Sequence, residues 1–526
     1  MKHQRASLLV TMLCLVVASL SFCTAAAQTT PPQVRMSWQA FVSGPAGALR
    51  LASLKKAIAK MRSLDNSPPN TADFRRSWKY WANIHGYLGS TSVFGTVAQR
   101  NQQLINDGLS QYLQYLNGTS TQPGIVDQTP PDAIGKALWA TCQHSPTTTE
   151  LNFFAWHRMY LYYFERVLRW AANDPTLTLP YWDYTNPAQT ALPAEFRDTT
   201  SPLYDWRRYP PVNQGTLALN PNITNIDGPL TTDTTFLQFE KDIEKGVHGN
   251  VHCVMVRYCP VPLMGLVGVA ANDPIFYFHH ANIDRMWSCW QYAHPNELPG
   301  TWENQSFSFV DETGTEVTRT VKDFLDTTAL GYVYDNSSAC TRAPATTMVA
   351  MQIQPSSSTS SSSTEPTFPN ILFSHMPLRL SPAVTSMDAT MPAAAQLQNT
   401  ELVLRDVSAL VTPGALIDVY IAKKDDPSSR VFVATINWFG VFDHMDKMGN
   451  MDHSKPMART FEYNVTRQLH QLGFPGTKAL TIVFQASSGL VPVSNKQVAS
   501  SEALAASQAT LRPDARVTIG AIELRQ

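Results

Sequence analysis

Six histidines lie in two groups of three between Trp78 and Trp287. The first group is His85 in NIHGY, His144 in TCQHS and His157 in FFAWHRMYLYYFE. The second is His248 and His252 in GVHGNVH, with His280 in NDPIFYFHHANIDRMW. Neutral imidazole suits zinc, copper, iron or nickel, and two equal sets point to a metal pair. A di-iron bundle would add bridging glutamates and Glu-x-x-His motifs, and none accompanies these histidines. A dizinc hydrolase would normally recruit a carboxylate ligand.

Each histidine also has a plainer reading. His248 and His252 are four apart, so a helix puts both rings on one face, but such pairs are common on surfaces. His280 sits in a strongly apolar run, with Phe276 and Asp284 four residues to either side on its own face. A carboxylate beside a buried imidazole is the arrangement that fixes ring orientation. His157 is surrounded by Phe153, Phe154, Trp156 and Tyr160, and His85 ends an aromatic segment. Taken alone, these two read more readily as core residues. The order and number of the six carry the metal reading.

The elements that must position them are helical. Leu151 to Ala172 has apolar residues at i, i+3, i+4 and i+7 and contains no Pro or Gly. Ser77 to Tyr87, Leu237 to Cys253 and Pro274 to Tyr292 are expected as three more helices, the last with Asp273 as cap and Pro274 at its first position. Four helices around a buried metal site make a bundle. Residues 355–367 (PSSSTSSSSTEPT) are Ser-rich and read as a flexible linker. Beyond it come β-prone runs at 401–404, 416–421, 431–435 and 480–484, separated by turn signals, which predict a β-sandwich. The expected organisation is a leader over 1–27, a mainly α region over 28–345, a linker over 346–367 and a β-sandwich domain over 368–526.

Length and charge set further bounds. The chain has 526 residues, enough for two domains, and a formal net charge of -1. No field steers it toward nucleic acid or an anionic membrane. Lys2 and Arg5 precede the apolar run Leu8 to Leu20 and then Ala25-Ala26-Ala27, the pattern of a secretory signal. The expected mature protein is soluble, free of the membrane after cleavage near Gln28, and secreted or periplasmic. Five of the seven cysteines remain then: Cys142, Cys253, Cys259, Cys289 and Cys340. The odd number implies a special fate for one, and the other four allow three disulfide pairings. Five N-x-S/T sequons matter only in a host that glycosylates.

The motifs IHG, C-x-H, FFAWHRMYLYYFE, HGNVH and DPIFYFHHANIDRMW, in that order, resemble the type 3 copper proteins: tyrosinases, catechol oxidases and molluscan-type haemocyanins. The resemblance runs from about residue 35 to Gly331-Tyr332-Val333-Tyr334, which looks like the family's closing tyrosine motif and implies a neighbouring arginine, here Arg35. It implies two copper ions, one held by His85, His144 and His157, the other by His248, His252 and His280, with His279 as a neighbour. O2 is then the co-substrate and a small phenol the substrate. The C-x-H spacing implies a thioether between Cys142 and His144, which would absorb the odd cysteine.

Two positions modulate activity in such proteins. Glu244 stands where relatives orient a water that deprotonates the incoming phenol. Gly249 stands where many tyrosinases carry Asn, which disfavours monophenol hydroxylation; Asn250, one position on, would point elsewhere on a helix. Val267 stands where a small aliphatic residue leaves the second copper open. The balance favours a tyrosinase acting on monophenols and o-diphenols. The alternatives are a catechol or o-aminophenol oxidase and a haemocyanin-like carrier.

Relatives with such a tail are often latent until an activating protease removes it. Phe439 and Phe442 are candidate plugs of the copper entrance, against the plain reading of core aromatics. The run from His444 to His453 includes Met445, Met448 and Met451. Its thioethers could capture Cu(I); the plain reading is a surface loop. A homo-oligomer is compatible with all of this.

Overall fold

The computed structural model of the chain describes residues 31–88, 129–144, 151–295, 302–335, 371–375, 377–390, 399–441, 458–474, 479–493 and 501–526, with scattered residues between 98 and 124. The leader and the Ser-rich linker lie outside the described residues.

The helical region is built as its apolar periodicity requires. The strongest expected helix runs from Phe153 to Ala172 and buries sixteen of its twenty residues. It ends at Asn173, which adopts the left-handed conformation (φ 53°) that an asparagine tolerates. It packs against Pro45–Ser63 on one side and Ile275–Ala293 on the other. Trp78–His85 starts at Ser77, whose hydroxyl accepts the Tyr80 N–H. Ile275–Ala293 follows Pro274, and Asp273 Oδ1 accepts the Ile275 N–H, so the expected capping aspartate does cap.

The expected continuous helix from Leu237 to Cys253 is broken. Phe236–Ile243 and Gly249–Val254 are joined by a π turn over Glu244–His248, inside which Gly246 leaves helical geometry (φ -89°, ψ -110°). A π turn inserts a residue and rotates everything after it. His248 and His252 therefore face the interior on a phase that the preceding amphipathic helix alone would not set.

The two ends of the helical region are tied together. Gln33–Arg35 pairs in parallel with Tyr332–Tyr334, in the register Gln33 to Tyr332 and Arg35 to Tyr334. Arg35 lies over the Tyr332 ring at 3.7 Å and donates to Glu165 and Asp284. The early arginine and the closing tyrosine motif thus meet as expected.

The C-terminal region is two sheets. The first orders Asp426–Ile436, Leu416–Lys423, Ala479–Ser487 and Val384–Thr390, all antiparallel. In Ala479–Ser487, buried Leu480, Ile482 and Phe484 alternate with half-buried neighbours, the period of a strand packed on one face. The second sheet centres on Glu401–Ser408 and Ala521–Arg525. All four expected β runs lie within strands. One further strand crosses between regions: Leu490–Pro492 pairs antiparallel with Leu217–Leu219 of the helical region. Backbone bonds from Asn220 to Gly489 and from Val493 to Thr216 extend this seam.

Asp284 does something other than expected. It makes no bond to His280. Its carboxylate accepts from Arg158 Nε at 2.5 Å, Arg35 Nη1 at 3.2 Å, and the hydroxyls of Tyr332 at 2.7 Å and Tyr334 at 2.6 Å. The helical phase was right for burial, but two buried arginines are stronger partners for a carboxylate than a neutral imidazole. Burial alone would raise the Asp284 pKa; Arg158 and Arg35 overcome it and hold the group below the ordinary carboxylate range.

Asp284→Ala should leave the Arg158 guanidinium buried without its carboxylate and Arg35 with Glu165 alone, and should cost about 3–5 kcal/mol in denaturant unfolding. Because the folded pKa is depressed, the carboxylate's contribution is present at neutral pH and is lost as pH falls below about 4. The variant's stability curve should therefore be flatter on the acid side than that of the parent.

Candidate metal centre

The helical segments deliver six imidazoles to one interior, and a loop brings a seventh, His144. His248, His252, His279 and His280 offer ligand atoms that all lie within 4.8 Å of one another, and so do His85, Cys142 and His157. The two groups adjoin: His157 stacks on His280 at 4.3 Å between ring centroids. His144 stands one step out, its Nε2 3.8 Å from Cys142 Sγ, while that sulfur is 3.6 Å from His157 Nε2. All six expected histidines are thus brought together.

Three rings are oriented by the backbone. The Nδ1 atoms of His157, His248 and His252 lie 2.7, 3.1 and 2.6 Å from the carbonyl oxygens of Phe153, Glu244 and Met264. A carbonyl can only accept, so each Nδ1 carries the proton and each Nε2 keeps its lone pair. His252 Nε2 and His280 Nε2 are 3.3 Å apart. Among the described residues, His279 Nε2 and His280 Nδ1 have no hydrogen-bond partner. Burial, reinforced by the neighbouring imidazoles, holds His85, His248, His252, His279 and His280 well below the ordinary histidine range. His157 is pushed down to about 3 by the same burial. Neutral, desolvated nitrogens with inward lone pairs are the donor set a soft or borderline cation needs. Neither close group contains a carboxylate.

His144 differs. Burial lowers its pKa, but Cys142 and Glu244 outweigh that and hold it well above the ordinary value. Glu244 Oε1 is 3.0 Å from His144 Nδ1. The glutamate expected to orient a water toward a phenol is here committed to the loop histidine. Cys142 carries its thiol beside that ring. Cys253 pairs with Cys259, and Cys289 is also disulfide-bonded.

Aromatic rings wall the cluster. Phe276 lies 4.1 Å from His280 and 4.7 Å from His85; Phe153 lies 4.8 Å from His157 and 4.7 Å from His248. His85 is set by a backbone contact at its helix end. A Cβ on Gly86 would come within 2.4 Å of Gly268 Cα, so the chain next to His85 touches the 3₁₀ turn Val267–Asn272 directly. Val267 is buried in that turn, and the place where a Gly440 Cβ would project is 3.9 Å from its side chain. This side of the cluster is covered.

The cover comes from the C-terminal region. Phe439 stacks on His252 at 4.1 Å and 20°, and meets His248 edge-on at 5.3 Å. Phe442 and the segment with His444, Met445, Met448, Met451 and His453 lie outside the described residues.

His279 is a neighbour of the ligand candidates, as the sequence suggests, while Asn437 was not anticipated. Tyr184 OH lies 2.8 Å from His279 Nδ1, and the ring stacks beside His248 at 5.5 Å. The His279-His280 doublet was the available signal. Asn437 meets Asn250 and the Lys245 carbonyl from nearly two hundred residues away, and no local pattern could have linked them.

Comparisons with known proteins agree with this geometry. The family model for the common central domain of tyrosinase matches residues 75–235 and 196–293, and that for the polyphenol oxidase middle domain matches 300–344. A tyrosinase of Hahella sp. is 29% identical over 315 residues, covering 54% of this chain and 60% of its own. A chloroplastic polyphenol oxidase of Malus domestica is 33% identical over 220 residues, 35% of this chain and 37% of its own. The chain thus spans less than two thirds of the length of either relative. Among solved structures, a latent aurone synthase shares the fold over 95% of this chain and 90% of its own (TM-score 0.56, 18% identity). Latent apple tyrosinase does so over 94% and 98% (TM-score 0.52, 20% identity). Among the described residues no helix is long and apolar enough to cross a membrane. With the ordered histidine motifs, the carboxylate-free histidine clusters and both family models in agreement, the chain belongs to the type 3 copper family of tyrosinases and polyphenol oxidases.

Proposed function

We propose that the chain is an exported copper enzyme that uses O2 to hydroxylate monophenols and oxidise o-diphenols to o-quinones, held latent by its own C-terminal region. The observation that carries the reading is the pair of adjoining histidine groups, free of carboxylate and one of them including Cys142, with the Nδ1 atoms of three rings oriented by backbone carbonyls. His85, His144 and His157 would hold one copper, and His248, His252 and His280 the other. When bound, the pair supplies the one-electron steps that couple O2 reduction to phenol oxidation.

The chain's own residues do the rest. The Phe153, Glu244 and Met264 carbonyls fix the tautomers of His157, His248 and His252. Phe153 and Phe276 keep water from the rings. Tyr184 steers His279. A phenol must enter where Phe439 now stacks, so the described state is the closed one. Cys142 Sγ and a ring carbon of His144 would form the thioether, the S–H and C–H hydrogens passing with their two electrons to O2 as hydrogen peroxide, and this would lock the loop ligand. The disulfides support an oxidising compartment. A domain boundary in the Ser-rich linker gives an activating protease its site.

A second reading, an o-diphenol oxidase without hydroxylation, is favoured by one observation: Gly249 has no side chain to share a water with Glu244, and Glu244 is already bonded to His144.

The deciding experiment is oxygen uptake on tyramine and dopamine, with copper-loaded protein, before and after cleavage of the linker. Uptake on both, low before cleavage and higher after, is expected. Uptake on dopamine alone would select the second reading, and none on either with two coppers bound would overturn both. Phe439→Ala should raise dopamine oxidation by the uncleaved chain about tenfold, by moving the closed equilibrium roughly 1.4 kcal/mol. His252→Ala should halve the copper bound per chain in elemental analysis.

A further inference from the structure

Gly249 follows His248 and opens the helix Gly249–Val254. Its backbone is ordinary helix (φ -63°, ψ -34°), so nothing in the main chain calls for glycine there. The space beside it does. A Cβ at this position would lie 2.6 Å from Asn437 Oδ1, 2.9 Å from its Nδ2 and 3.0 Å from its Cγ. Real Cβ atoms do not approach so closely, and one side must move.

Asn437 is not free to move. It is 1% exposed. Its Nδ2 donates to the Lys245 carbonyl at 2.6 Å and to Asn250 Oδ1 at 3.0 Å, and its Oδ1 accepts the Phe439 N–H at 3.2 Å. The Lys245 carbonyl is offered by the π turn. The Gly249 N–H reaches Glu244 O and Gly246 O, passing over Lys245 O. The break in the helix thus presents an acceptor, and the missing side chain leaves a notch beside it. Two residues beyond Asn437, Phe439 stacks on His252, and Gly440 follows against Val267.

We propose that Gly249 and the Lys245 carbonyl form the seat for Asn437, and that this contact sets the register in which Phe439 covers the histidines. Position 249 then governs closure of the site by the C-terminal region. This rests on the reading that the C-terminal region holds the enzyme latent. The seat ties two features of the chain to one cause: a glycine beside a candidate ligand, and a π turn where a continuous helix was expected. A side chain at 249 and a seated Asn437 exclude each other.

The test is a double-mutant cycle on the full, uncleaved chain: Gly249→Ala, Asn437→Gly and the pair. The first readout is hydrogen exchange of the 436–441 amides in the copper-free protein, which needs no activity. Gly249→Ala should speed exchange of these amides by about tenfold or more, although alanine suits a helix better than glycine. Asn437→Gly should speed it by a smaller factor. The pair should be no worse than Asn437→Gly alone, because the clash has lost its partner. Dopamine oxidation by the uncleaved, copper-loaded variants should rise in the same order. Parental exchange in Gly249→Ala, or effects that multiply independently in the pair, would overturn the seat. If exchange follows the cycle while cleavage of the parental chain leaves oxidation unchanged, the seat stands and the latency reading fails.

Discussion

The structure turns on the cost of keeping unprotonated imidazole nitrogens in a dry interior. A buried polar atom without a partner is expensive, and a buried charge more so. Burial settles the charge question by holding six of the seven clustered rings far below the ordinary histidine range. Backbone carbonyls then settle the tautomers of three rings. What remains is a set of inward nitrogens whose nearest neighbours are one another and the Cys142 sulfur, a set that a cation would satisfy. The helices, the aromatic walls and the Gly86–Gly268 contact all follow from the need to bring these rings within a few ångströms while keeping water out.

The same requirement explains why charge is concentrated elsewhere. The carboxylates closest in sequence to the rings are drawn away from them. Asp284 neutralises Arg35 and Arg158 under the closing tyrosines, and Glu165 shares Arg35. The ion network sits behind the site as a frame, anchoring the first strand, the longest helix and the last strand of the helical region to one point. Glu244 alone turns toward the cluster, and its partner is His144, whose pKa is held up where the others are held down. The loop histidine is thus chemically distinct from the five ligand candidates carried on helices.

Much of this was legible in the sequence because it is local. Helical periodicity placed His157 and His280, ligand spacing grouped the six histidines, and β-prone runs between turn signals found the strands at 416–421 and 480–484. Three things were not legible, each for a physical reason. The π turn at Glu244–His248 depends on one glycine leaving helical geometry in response to its surroundings. The true partners of Asp284 come from residues about fifty to two hundred and fifty positions away. The approach of Asn437 to Gly249 and of Gly440 to Val267 comes from a second region folding over the first, which no local pattern in either region records. Phe439 could be named as a candidate, since an aromatic after a strand is a plausible cover, but Asn437 gives no signal until its three-dimensional neighbours are seen.

The central claim is that these rings form a two-metal copper centre beneath Phe439. Anomalous diffraction at the copper edge from crystals of the copper-loaded, uncleaved chain tests it directly. The account predicts two copper peaks, one among His85, His144 and His157 and one among His248, His252 and His280, with Phe439 still stacked on His252. A single peak, a carboxylate ligand at either metal, or copper bound elsewhere with the cluster empty would contradict it.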